Sequence, residues 1–182
     1  MANTTVPRLY HNEAITLLDG RVMISGSDPT GNSNFTAVIA DDEWPEEYRV
    51  EVFTPPYLLS GLPRPTFSIN NGNTDWNWGD VVTFTLLSGS TSNLRVSMLG
   101  SVMSTHGNAM GQRTLFPDVK CVGMTCTVSA PPSAHIAPPG WYMFFVLDGP
   151  TPSVGVFVRL GKDPANIGNW PQNSSTFQTP GI

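Results

Sequence analysis

Apolar residues fall on alternate positions in short runs along this chain, and no stretch carries a convincing helical period. Ile15–Leu18 and Arg21–Gly26 flank Asp19-Gly20. An Asp-Gly between apolar runs predicts a hairpin, because glycine supplies the positive φ of the turn. Arg49-Val50-Glu51-Val52-Phe53 alternates and predicts another strand, whereas Asp-Pro-Thr-Gly-Asn-Ser-Asn at 28–34 is loop chemistry throughout. Further on, Val82, Phe84 and Leu86 alternate with Val81, Thr83 and Thr85, and Leu94, Val96 and Met98 alternate with Arg95 and Ser97. Tyr142–Leu147 is apolar on both faces, as a central strand is, and Val154, Val156, Val158 and Leu160 alternate again. Weaker strands at Thr66–Ile69, Thr114–Phe116 and Thr127–Ser129 bring the total to about seven strands in about 100 residues, the pattern of an immunoglobulin-like sandwich.

Prolines divide the pattern. Pro55-Pro56-Tyr57 and Pro63-Arg64-Pro65 bracket a connection, since proline ends strand pairing. Residues 1–54 are then roughly one propeller blade of four short strands, residues 55–161 an all-β sandwich, and residues 162–182 a polar tail rich in Pro, Asn, Gly and Ser. A single blade depends on its neighbours to bury its faces, so residues 1–54 are expected to be the end of a larger domain.

Composition narrows the class. The 182 residues carry a net charge of −5 with only Lys120 and Lys162 as lysines, which argues against a phosphate-backbone partner. No apolar run approaches the roughly 20 residues of a membrane span. Met1-Ala2-Asn3-Thr4-Thr5-Val6-Pro7 has neither the charged nor the apolar region of a secretory signal, so a signal would lie outside this chain. Three weak hints still favour secretion. Cys121 and Cys126 allow one local disulfide, with free thiols the alternative and a metal site disfavoured for want of further ligands. Sequons stand at Asn3, Asn34 and Asn173, and lysine is scarce.

The candidate chemistry lies in Arg8-Leu9-Tyr10-His11 and in Ser104-Thr105-His106-Gly107. Adjacent side chains on a strand point to opposite faces, so Tyr10 and His11 can share a target only at a strand mouth or bend. A phenol with two imidazoles suits Cu(II) better than zinc or calcium. His106 sits in the glycine- and methionine-rich stretch 100–113, too long for a plain hairpin turn and apolar enough to enter a protein channel. Against these stand plainer alternatives. A lone histidine such as His135 is usually a hydrogen-bonded or surface residue, and Tyr10 alone would pass for a core phenol. Trp76, Trp78, Trp141 and Trp170 suit packing better than sugar stacking. Asp41-Asp42 and Glu46-Glu47 are solvated charges rather than acid/base pairs. No Ser/His/Asp or paired-carboxylate arrangement supports a hydrolase.

Arg8-Leu9-Tyr10-His11, followed by Ala14-Ile15-Thr16-Leu17-Leu18-Asp19-Gly20-Arg21-Val22, resembles the final kelch-type blade of the copper-radical oxidases, the family of galactose oxidase and glyoxal oxidase. Thr105-His106, Gln112-Arg113 and Pro138-Pro139-Gly140-Trp141-Tyr142-Met143-Phe144-Phe145-Val146-Leu147 resemble that family's C-terminal early set sandwich. Glu46–Val52, Pro55-Pro56-Tyr57-Leu58 and Leu147–Gly155 are most similar to fungal glyoxal oxidases, and the likeness runs from about Pro7 to Pro171.

The resemblance implies a copper site. Tyr10 would be the axial phenolate and the base for the substrate hydroxyl, with His11 and His106 as imidazole ligands. It further implies oxidation of an aldehyde or primary alcohol by O2, giving H2O2, with a second redox equivalent held as a radical on a Cys-Tyr ligand. That ligand lies in earlier blades and has no match here, since Tyr48, Tyr57 and Tyr142 sit in stretches with other family roles. The chain is therefore expected to be the C-terminal part of an oxidase, a truncated product or an incomplete gene model, inactive without its upstream blades. The alternative is a non-catalytic sandwich module that binds carbohydrate or a partner protein.

Overall fold

A computed structural model describes residues 3–28, 46–101, 103–105, 108–111 and 113–161. The described chain is all-β, with two single-turn 3-10 segments at Pro56–Leu58 and Asn70–Gly72. It begins with β1 (Asn12–Thr16), β2 (Val22–Gly26) and β3 (Glu51–Phe53), an antiparallel sheet in the order β1-β2-β3. Three strands stand among the described residues of the region where four were expected, and residues 29–45 lie outside the described residues.

The Asp19-Gly20 hairpin forms with a longer loop than a two-residue turn. Leu17 N–H donates to the Arg21 carbonyl at 2.8 Å, and Gly20 N–H donates to the Leu17 carbonyl at 2.9 Å. Gly20 has a φ of 85°, the left-handed residue that closes a three-residue loop with a bulge. Strand pairing accordingly stops at Thr16↔Val22, and Leu17 and Leu18 turn toward the next domain.

That domain follows as β4 (Thr66–Ile69), β5 (Asp75–Trp76), β6 (Val81–Ser88), β7 (Leu94–Gly100), β8 (Met103–Thr105), β9 (Asn108–Met110), β10 (Thr114–Leu115), β11 (Val119–Val122), β12 (Thr125–Ser129), β13 (Gly140–Asp148), β14 (Thr151–Pro152) and β15 (Val156–Leu160). One sheet runs β10-β7-β13-β15-β5 with β14 on β13, and the facing sheet runs β11-β12-β6-β4. The alternating residues of β6 decide which face is buried. Val82, Phe84 and Leu86 enter the core, and Thr83 and Thr85 face outward. From the other sheet come Val96, Met98, Tyr142, Phe144, Val146, Val158 and Leu160. Phe67, Phe84 and Trp76 meet Phe144 edge-to-face, with ring centroids at 5.6, 6.0 and 5.3 Å.

β13 is the central strand that its two-sided hydrophobicity predicted, and Tyr142 through Val146 are all buried. Its second face, carrying Met143 and Phe145, is covered in part by the first sheet. Gly155 N–H donates to the Leu18 carbonyl at 2.7 Å, and the Tyr57 hydroxyl donates to the Gly20 carbonyl at 2.9 Å. Two largely apolar clefts remain at this seam. One of about 360 Å³ is lined by Thr16, Tyr57, Phe145 and Leu147, and the other, of about 340 Å³, by Ile15, Leu18, Met143 and Phe157.

Cys121 and Cys126 face each other across β11 and β12 and are joined in a disulfide. The stretch 100–113, expected as a loop, contains a hairpin: β8 and β9 pair in the register Met103↔Met110, Ser104↔Ala109 and Thr105↔Asn108. Its neck is narrow. Gly100 N–H donates to the Arg113 carbonyl at 2.9 Å, and a Cβ on Gly100 would sit 2.7 Å from the Gly111 carbonyl oxygen. Met103 and Met110 are 70% and 47% exposed, so this finger carries apolar side chains outside the sandwich core. Residues 162–182, expected as a polar tail, lie outside the described residues.

Candidate metal centre

Tyr10 and His11 occupy a turn just before β1, the kind of bend that lets neighbouring side chains converge. His11 has a φ of 59°, the left-handed region, which reverses the usual alternation. The two rings consequently lie together, centroids 4.0 Å apart and tilted by 35°. Tyr10 is 52% exposed, so its phenol is a surface group of the described chain and not the core phenol of the plainer alternative.

Three backbone devices hold this turn. Leu9 N–H donates to Ser27 Oγ at 2.8 Å, and Asp28 N–H donates to the Tyr10 carbonyl at 2.7 Å. Asn12 Nδ2 donates to the Leu9 carbonyl. At Gly26, φ is 77° and an added Cβ would stand 2.6 Å from the His11 carbonyl oxygen, so only glycine lets β2 pass this close to the turn.

Arg8 anchors the approach. Its side chain is only 6% exposed, and Nε and Nη2 both donate to Glu51 Oε2, at 3.1 and 3.0 Å. Nη1 donates to the Gly26 carbonyl at 2.7 Å and Nη2 to the Arg49 carbonyl at 2.9 Å. The planar guanidinium thus ties the residue before Leu9-Tyr10 to both β2 and β3, a fork that lysine cannot reproduce. The sequence motif contained Arg8 without revealing this role, because Glu51 is 43 residues away.

Carboxylates around the anchor titrate low. The Thr4 hydroxyl, donating at 2.6 Å, and then Arg8 hold the Glu51 carboxyl below its usual value. Hydrogen bonds from Arg49 hold Glu47 down to about 2, from an ordinary 4.5. A depressed carboxylate contributes stability that is present above its unfolded value and lost as pH falls through the folded one. Amide exchange in β2 and β3 should therefore accelerate as pH drops from about 4.5 toward 2, once intrinsic rates are corrected. The effect should be small and weakened by salt, since each pair keeps one partner open to water, Glu51 beside Arg8 and Arg49 beside Glu47. Unchanged protection across that window would remove these ion pairs from the account of the first sheet.

Of the three residues assigned to copper from the sequence, the structure brings Tyr10 and His11 together, and His106 lies outside the described residues. The strands on either side of it, β8 and β9, pack against β1, which begins immediately after His11. Among the described residues no three of His, Cys, Asp and Glu form a metal cluster. The paired phenol and imidazole are nonetheless nitrogen and oxygen donors of the type Cu(II) accepts, so the donor chemistry present fits that metal. Because Cys121 and Cys126 are bonded to each other, neither carries a thiol for linkage to a tyrosine. His135 is exposed, and its carbonyl accepts from Arg113 Nη1 at 3.1 Å. Trp76 is core, and Trp78 packs against it, donating from Nε1 to the Ala137 carbonyl at 2.9 Å.

Asp28 is the residue the sequence did not single out. Read as loop chemistry, it places Oδ2 3.9 Å from His11 Nδ1.

This all-β chain belongs to the galactose oxidase-like early set family, whose model matches residues 64–160. A second model, the glyoxal oxidase N-terminus, matches residues 1–57. A WSC domain-containing protein of Arthroderma benhamiae is 52% identical over all of this chain and 18% of its own length. Aldehyde oxidase GLOX1 of Arabidopsis thaliana is 33% identical over 88% of this chain and 27% of its own. A solved fungal alcohol oxidase of the AA5 family, in complex with copper, superposes with a TM-score of 0.72 at 25% identity, covering 87% of this chain and 32% of that one. The chain thus spans less than a third of each of these relatives.

Proposed function

We propose that this chain supplies the C-terminal share of a copper-radical oxidase centre that oxidises small aldehydes, or primary alcohols, with O2 to give H2O2. The observation that carries the reading is the left-handed bend at His11, which pairs two metal-competent rings. Copper bound by Tyr10, His11 and His106 would supply one-electron redox chemistry and a polarising charge for the substrate oxygen. Tyr10 Oη would take the hydroxyl proton of an alcohol or aldehyde hydrate. His11 would supply an imidazole nitrogen to the copper, and the β8–β9 finger would deliver His106 from the sandwich. Exposed Met103 and Met110 support a finger that inserts into protein rather than water.

The Cys-Tyr radical ligand would come from upstream kelch blades, which would also cover the open faces of the first sheet and choose the substrate. The disulfide and the match to oxidases support a secreted protein. Isolated, the chain should bind copper without turning over.

Copper titration of the wild type against His106→Ala tests this. Affinity should fall at least tenfold in the variant, in line with loss of one ligand, and neither protein should release peroxide from methylglyoxal. Equal and weak binding in both would favour the non-catalytic module, and steady peroxide production would show that the chain needs no upstream ligand.

A further inference from the structure

The imidazole of His11 is bracketed by two groups. The Tyr10 ring lies against one side, at a centroid distance of 4.0 Å, and the Asp28 carboxylate faces the Nδ1 edge at 3.9 Å. Asp28 does not reach this position by side-chain flexibility alone. The β1–β2 ladder ends at Asn12↔Gly26, and beyond it the Asp28 N–H donates to the Tyr10 carbonyl at 2.7 Å. That bond places the Asp28 backbone beside the same peptide that begins His11. Ser27, buried between them, accepts from Leu9 N–H and fixes the strand on the other side. The carboxylate therefore starts from a secured backbone, with Oδ2 facing Nδ1 at 3.9 Å, so a shortening of about 1 Å would make the contact a hydrogen bond.

Which imidazole nitrogen carries the proton is set by the partner of the other. A carboxylate at Nδ1 favours the proton there and leaves the lone pair on Nε2, at the far edge of the ring. We propose that Asp28 is a positioning residue for His11: it holds the Nδ1-protonated tautomer and presents Nε2 as the metal donor. This rests on the copper reading above for its purpose, but the tautomer itself exists without metal. The pair also differs from an incidental surface contact in its geometry, because three consecutive residues of the 26–28 segment, two through backbone and Ser27 through its hydroxyl, clasp the 9–12 turn.

The test separates the two claims. In the metal-free chain labelled at histidine, nitrogen shifts of His11 recorded near pH 8 report the tautomer directly. Wild type should show protonated Nδ1. Asp28→Asn, which keeps an acceptor without charge, should retain part of that population, and Asp28→Ala should move toward the Nε2-protonated form that free histidine favours. Cu(II) dissociation constants should rise about tenfold to a hundredfold in Asp28→Ala and less in Asp28→Asn. A wild-type His11 protonated on Nε2, or a tautomer identical in all three proteins, overturns the proposal whatever copper does. If the tautomer follows Asp28 while His11→Ala leaves copper binding intact, the copper reading fails and the positioning contact stands. Because the wild-type spectrum alone can refute the idea, it stays testable even where Asp28→Ala unfolds the turn.

Discussion

Phe144→Ala should destabilise the sandwich by about 3–5 kcal/mol, the usual cost of emptying a fully buried aromatic site. Phe144 is wholly inaccessible and sits at the middle of β13, the central strand of its sheet. Its ring touches Trp76 from β5 and Phe67 and Phe84 from the facing sheet, so one side chain bridges both layers. The three surrounding rings approach it edge-on and are rigid, so they cannot flow into the space left behind. Both the lost transfer energy and the cavity term then apply in full. The neighbouring Phe145→Ala provides the control. Phe145 points out of the opposite face, against Gly155 and a cleft that is already open, so its removal should cost less. Urea midpoints of the two variants, compared with the wild type at constant slope, give the measurement. A Phe144 variant no less stable than the Phe145 variant would mean that the core lies on the other face of β13.

The same two residues show why the sandwich was legible. Strand alternation is a local property: Val82, Phe84 and Leu86 declare their face within six residues, and the unbroken run Tyr142–Leu147 declares burial on both. Short or sparse elements escaped. β5 contributes two residues and pairs in parallel with β15, far along the chain, while β11 is held beside β12 by the disulfide hairpin. The apparent strand at Val154 begins only at Val156, because Ser153 turns back on Val146 with bonds of 2.7 and 3.0 Å. Stretch 100–113 has the look of a loop because Met103, Ser104 and Thr105 show no alternation that would mark β8. At the candidate centre, the resemblance supplied residue types and the bend at His11 brought two of the rings side by side. Nothing in the letters announces a left-handed histidine, nor that Asp28 returns to face it. Those facts depend on Gly26 and Ser27 passing close to the turn, which is a tertiary matter.

Arg8→Ala should damage the candidate centre while leaving the sandwich intact. The guanidinium makes four hydrogen bonds, two to Glu51 and one each to the Gly26 and Arg49 carbonyls. Truncation strips two carbonyls and a carboxylate of their charged donor and weakens the first sheet locally. Glu51 is partly open to water, which keeps the loss below that of a fully buried ion pair. The consequence is positional. Without the clamp, Leu9 and Tyr10 lose their tether to β2 and β3, and the ring pairing of Tyr10 with His11 should loosen. Copper affinity should then fall about tenfold, as for a disturbed supporting contact, while the urea midpoint of the sandwich stays at the wild-type value. Arg8→Lys should recover little, since one ammonium cannot serve Glu51, Gly26 and Arg49 together. An Arg8→Ala protein that keeps both its copper affinity and the protection of β2 and β3 against exchange would show that the turn holds itself. The Ser27, Asp28 and Asn12 contacts would then suffice to hold the paired rings.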